Sequence, residues 1–278
     1  MLTKQLGIII ACGLIGTALF LAPRTAMYST DGQKVSNEIL HFDDVFLEQL
    51  SSVKSKLEPT ELFAVESFQE KFENAESVSE KLQWLDSLIV SWDRLMRPGI
   101  SAEFAVKKAE LSANALYWEI AGRRYTNMLP FFNGEDKMMI GGRAIFCLEQ
   151  AINLGGSAEP IETQLAIARV EGSDDPMTGI LKLREIAERN PLNKDAQLNL
   201  GYFSMQTGQH EKAIERFGKV LAHHPDELVV LFYISEAYLA SGDKQNAIKA
   251  LNDFISRVNK EEVEAIEEAR KRIKNITN

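Results

Sequence analysis

The side chains with the most chemistry to offer are four histidines, His41, His210, His223 and His224, and two cysteines, Cys12 and Cys147. A metal centre would set such residues in a HExxH run or a paired-cysteine spacing, which aims several lone pairs at one point. Neither pattern occurs. In "HHPDE", residues 223–227, imidazoles and acids crowd together. Two histidines closing a helix are more simply partners for its exposed carbonyls. The glycine pair in "MIGGRA", Gly141 and Gly142, is too short to cradle a phosphate, and no GxSxG, phosphate loop or dinucleotide fingerprint is present. Carboxylates are plentiful but scattered. No catalytic set, cofactor or metal ion is expected, so the chain reads as a binding protein and not an enzyme.

Composition agrees with a folded chain, at 278 residues with 45% hydrophobic and 26% charged side chains. Thirty-one Lys and Arg against 40 Asp and Glu leave a net charge of -9. Nothing in that balance draws the whole chain to nucleic acid or an anionic surface, and no nucleic-acid partner is expected. Two cysteines cannot build a disulfide framework.

The amino terminus speaks of a membrane. "LGIIIACGLIGTALFLA", from Leu6 to Ala22, is 17 residues without a charge, preceded by Lys4 and followed by Pro23 and Arg24. As a helix it reaches roughly 25 Å, slightly short of a hydrocarbon core of about 30 Å. Pro23 and Phe20 make a poor cleavage site after Ala22, which favours an uncleaved single-pass anchor over 1–26. A cleaved signal peptide is the alternative; "IIAC" also hints at a lipoprotein box, though the apolar run continues past Cys12. With only five residues ahead of the apolar run, the amino end is expected in the cytoplasm; in a bacterium the body would then be periplasmic, on the inner membrane. Residues 27–37, "MYSTDGQKVSN", read as a polar linker.

Beyond the linker the apolar residues recur three and four apart, which specifies helices throughout and no alternating strand. Val45, Leu47, Leu50, Val53 and Leu57 form one stripe, and Leu62, Phe63, Val65, Phe68 and Phe72 form another, split at Pro59. A third, Leu82, Leu85, Leu88, Ile89, Trp92 and Leu95, stops at "RPG". Residues 38–107 thus form an amino-terminal helical region.

Further on the sequence repeats itself. Leu200 and Ile234, Gly208 and Gly242, Ala213 and Ala247, and Phe217 and Leu251 are each 34 apart, the period of paired-helix repeats. Glycine at 208 and 242 suits a tight turn, and the alanines suit close helix approach. The pattern Leu200-Gly201, Gly208, Ala213, Phe217, Pro225 resembles the tetratricopeptide repeat. A weaker copy has Ala166, Gly179, Leu183 and Pro191 in the matching columns, so three units are expected over 160–258. Ser235 stands where the preceding unit has Gly201, and Asn259 replaces the closing proline of the last unit. Upstream, "ALYWEIAGRR" and "RAIFCLEQAINL" resemble the two helices of a divergent unit over 108–159, with Gly122 at its turn and an insertion of about 18 residues. The insertion, 127–142, carries Met128, Leu129, Phe131, Phe132, Met138 and Met139. It reads either as an apolar plug or as a docking loop. Residues 259–278 read as a capping helix with Val263, Ile266, Ala269 and Ile273 facing inward.

The expected architecture is an all-α solenoid of paired antiparallel helices behind a transmembrane helix. The resemblance implies a groove lined by the first helix of each unit, here Leu198, Tyr202 and Met205, then Phe232, Tyr233, Glu236 and Leu239. Those side chains suit a peptide or protein partner. The alternative is that they turn onto the capping helix or onto each other. Leu198 and Tyr202 occupy columns where the family's carboxylate clamp has Lys and Asn, which disfavours that kind of ligand. The functional expectation is a membrane-anchored scaffold for an envelope complex. The second reading is a structural accessory subunit of a membrane machine; an enzyme with a site in 38–99 has least support.

Overall fold

A computed structural model describes residues 46–156 and 158–277. The expected anchor and linker, with Cys12 and His41, lie outside the described residues. Every regular element among the described residues is helical. After a helical stretch at 46–54 come α1 (Pro59–Asn74), α2 (Val78–Arg94), α3 (Pro98–Ser112) and α4 (Ala115–Met128). A 3-10 turn, Leu129–Phe131, leads to α5 (Gly134–Asn153) and α6 (Ala158–Gly172). Then follow α7 (Pro176–Arg189), α8 (Lys194–Gln206), α9 (His210–His223), α10 (Val230–Ala240), α11 (Lys244–Arg257) and α12 (Val263–Thr277). No helix among the described residues is long and apolar enough to cross a membrane.

The helix boundaries follow local chemistry. Pro59, Pro98 and Pro176 open α1, α3 and α7, where a missing N–H costs no intrahelical bond. Ser77 and Glu80 form a capping box at α2, and the side chains of Asn114, Asn193 and Asp243 accept from the first turns of α4, α8 and α11. Gly208 and Gly242 hold φ of 71° and 87° in the turns after α8 and α10, a backbone that a side chain resists.

The helices belong to two compact units that divide between Ser173 and Asp174. In the first, sequence neighbours pack in turn from α1 to α6, and α4 also touches α6. Leu85, Leu88, Ile89 and Trp92 bury as the stripe on α2 requires. The stripe on α1 is less faithful: Val65 is buried, whereas Phe63 is 74% exposed. Gly122 is not at a turn but midway along α4, where an added Cβ would stand 2.6 Å from Leu148 Cγ of α5. In the second unit Gly201 stands the same way against Phe217. Equating the two glycines corrects the insertion: Gly122 to Leu148 is 26 residues, Gly201 to Phe217 is 16, and the excess is ten.

In the second unit α7 packs on α8, α8 on α9, α9 on α10, α10 on α11 and α11 on α12. Ala213, Phe217, Ala247, Leu251 and Phe254 are wholly buried. The capping helix turns Ala265, Ala269 and Ile276 inward with Ile266 and Ile273 beside them, while Val263 stays exposed at its first turn. The 34-residue register would pair α6 with α7, yet the boundary between the compact units falls between them.

Candidate functional site

The first helix of each repeat is held by its small residues. Gly201 lets α8 settle on the Phe217 ring, which fixes the turn of α8 that carries Leu198, Tyr202 and Met205. Tyr202 meets Tyr233 of α10 edge to face, with ring centroids 4.9 Å apart and planes at 89°. Both rings pack on Phe217 of α9, at 5.5 and 5.7 Å. Such edge-to-face geometry adds about 0.5–1.5 kcal/mol to area burial and fixes ring orientation. Leu198, Tyr202, Met205 and Tyr233 remain half-buried, and Leu239 is 42% exposed.

Phe232 and Glu236 do not join this face. Phe232 is only 7% exposed, packed on Phe254 at 4.6 Å with the Arg272 guanidinium 5.2 Å above its ring. Glu236 is ion-paired to Arg272 of α12. Burial pulls the Arg272 pKa down, but hydrogen bonds to Glu268 and Glu236 outweigh it and raise the value. The capping helix thus occupies the last pair of expected groove positions, because a solenoid end must cover its own apolar edge. Leu198, Tyr202, Met205, Tyr233 and Leu239 are the five of the seven that keep partial exposure on one face.

The expected insertion is not a loop. Its residues finish α4, make one 3-10 turn and open α5. Leu129 is fully buried and Met128 and Ile140 nearly so, with Phe132 packed on the same core. Phe131, Met138 and Met139 are 41%, 42% and 37% exposed. The segment divides by side: one face is core and the other is solvent-facing.

One polar cluster escaped the sequence reading. Glu103 of α3 accepts from Arg143 of α5 at 2.6 Å and from the Tyr125 hydroxyl of α4, with the Glu103 side chain only 6% exposed. Such a pair costs desolvation and holds together only because its geometry is satisfied. Its one sequence signal is a lone acid inside the apolar run "ISAEFAV". Cys147 lies near it, and burial pushes that thiol up to about 12, with Arg143 opposing and Glu103 adding to the rise. A thiol so protonated is a poor nucleophile. His223 ends α9, and His224 Nε2 lies 3.4 Å from the Leu192 carbonyl. Among the described residues no group of three or more His, Cys, Asp or Glu could hold a metal ion.

A face of half-buried aromatic and aliphatic side chains, built on antiparallel helix pairs with small residues at their crossings, defines a helical-repeat fold. Residues 204–269, from the end of α8 into α12, match the family model described as tetratricopeptide repeat. The chain has the fold of a thermophilic TPR protein of Thermus thermophilus, at 16% identity, 70% of this chain, 98% of that one and a TM-score of 0.51. Looser likenesses are YrrB, a TPR protein with an unusual peptide-binding site, and MamA. YrrB has 20% identity over 75% of this chain and 100% of that one, with a TM-score of 0.43. MamA has 19% identity over 64% and 92%, with a TM-score of 0.45. No curated protein matches the chain.

Proposed function

We propose that the chain is a protein-docking scaffold, tethered to a bacterial inner membrane through residues 6–22, whose repeats hold a partner during assembly of an envelope complex. The observation that carries the docking reading is the face made by Leu198, Tyr202, Met205, Tyr233 and Leu239. Its aromatic rings are fixed by packing on Phe217, so a partner binding there orders few side chains and keeps most of the gain from apolar contact. The tether rests on the 17 uncharged residues flanked by Lys4 and Arg24.

The test is site-specific photo-crosslinking of the full chain in its membrane. A crosslinker at Leu198 or Leu239 should capture one discrete protein, and the same group at Lys219, on the outer side of α9, should not. Equal yields at all three positions would sink the groove. For the tether, the protein should stay with membranes through an alkaline wash, and removal of residues 1–26 should release it. Release of the intact chain by the wash alone would refute the anchor.

A further inference from the structure

The residues at 209, 212 and 216 share one face of α9 and its leading turn, at the spacing of a helical stripe. With Arg184 of α7 and Phe203 of α8 they enclose a cavity of about 220 Å³, floored by Leu200. Three of those side chains are cations, Arg184, Lys212 and Arg216, on a chain whose net charge is -9. Four other basic residues of this unit are matched: Lys194 with Glu227, Lys219 with Glu215, Arg257 with Asp253 and Arg272 with Glu236. None of the three cavity cations makes an ion pair among the described residues.

Their donors are aimed and only partly used. Arg216 gives one N–H to the Gln197 oxygen at 3.0 Å, and buried Gln197 is itself held by a bond to the Pro191 carbonyl at 3.2 Å. That leaves most of a rigid guanidinium fork for a ligand. Lys212 donates to Gln209 at 2.7 Å and keeps its other two donors. The positive end of the α9 dipole adds to the same field. Burial and the neighbouring Arg184 press the Arg216 pKa down, with Glu215 and Glu188 opposing, so the cluster gains from an incoming anion. Glu215 is meanwhile bonded to Lys219 at 2.6 Å.

Size decides the kind of anion. Metabolite sites usually span about 300–1,000 Å³, and this cavity is smaller, suited to one side chain. Its floor of Leu200 and Phe203 matches methylene groups, and its rim matches a carboxylate. We infer that the cavity receives a glutamate side chain from an acidic segment of the docked partner, on the face of α8 opposite the one that carries Leu198, Tyr202 and Met205. The inference rests on the docking reading above.

The experiment measures fluorescence anisotropy of a labelled ten-residue peptide of alternating glutamate and alanine with the full chain in detergent. The glutamine version of the peptide and inorganic phosphate serve as comparisons. The glutamate peptide should bind and the glutamine peptide should not. R184Q and K212Q, both at exposed positions, should each weaken binding about tenfold with unchanged melting, as loss of a charge-assisted bond predicts. K249Q, on α11 and outside the cavity, should leave it unchanged. Equal binding of the two peptides, indifference to R184Q and K212Q, or binding of phosphate without the peptide would each overturn the inference. Groove crosslinks from Leu198 that persist while the peptide fails would overturn this cavity alone; loss of those crosslinks with intact peptide binding would overturn only the groove.

Discussion

Replacing Gly201 and Gly218 by alanine, one at a time, should move stability in opposite directions. Both glycines lie inside helices, so each substitution gains about 0.5–1 kcal/mol in backbone propensity. At Gly218 an added Cβ meets nothing within 4 Å, and the gain should appear whole. At Gly201 the same atom would stand 2.5 Å from Cε1 and 2.9 Å from Cδ1 and Cζ of Phe217. That ring is wholly buried and abuts Tyr202 and Tyr233, so it cannot retreat without disturbing both. Overpacking of this kind costs about 1–3 kcal/mol. Because propensity is common to the two variants, their difference isolates the packing term, and Gly201→Ala should be less stable than Gly218→Ala by about 1–3 kcal/mol. Urea unfolding followed by far-ultraviolet circular dichroism reads the helices of both units. Trp84, Trp92 and Trp118 all lie in the first unit, so tryptophan fluorescence serves as the internal control. Equal midpoints for the two variants would refute the claim that α8 needs smallness at Gly201 to reach α9.

Glu103→Ala should destabilise the first unit by about 3–5 kcal/mol, since it removes the buried carboxylate that accepts from Arg143 and Tyr125; tryptophan fluorescence in urea measures it. Leu129→Ala should cost about 2–5 kcal/mol, while Phe131→Ser should stay within about 0.5, which thermal melting separates. In a Cys12→Ser background, Cys147 should resist iodoacetamide at about pH 8 until the chain unfolds, because burial keeps the thiol protonated; mass spectrometry of native and denatured samples tests this. Asp243 is held below the usual aspartate value of 3.8 by hydrogen bonds from Asn246. Its folded pKa is depressed, so its contribution is complete above the unfolded value and is lost as pH falls through the folded one. Asp243→Asn, which keeps the cap without a titrating group, should flatten the acid limb of a pH series of urea midpoints.

How legible the molecule was varied with the range of the forces involved. The helices were plain, because Pro59, Pro98, Ser77 and Asn193 act within one turn of themselves. The repeat was equally plain from Gly208, Ala213 and Phe217 with their partners 34 residues on, since steric need at a helix crossing restricts residue type. The expected groove residues divide. Tyr202 and Tyr233 meet as the register implies, but the fate of Phe232 and Glu236 depended on Arg272, 36 residues beyond Glu236. Phe63 shows the same limit, since an apolar stripe records which residues are apolar and not how wide a face is covered.

The sequence alone determined that the body is helical, that its units recur every 34 residues, and where its turns need glycine. Those properties come from local backbone preference and from pairwise contacts at fixed spacing. Only the tertiary structure decided that Gly122 lies at a crossing, that 127–142 extends a helix, that Glu103 finds Arg143 40 residues away, and that Arg184 joins Lys212 and Arg216 around one cavity. Each depends on which helix faces are brought together, a cooperative outcome of packing that no single stretch of chain encodes.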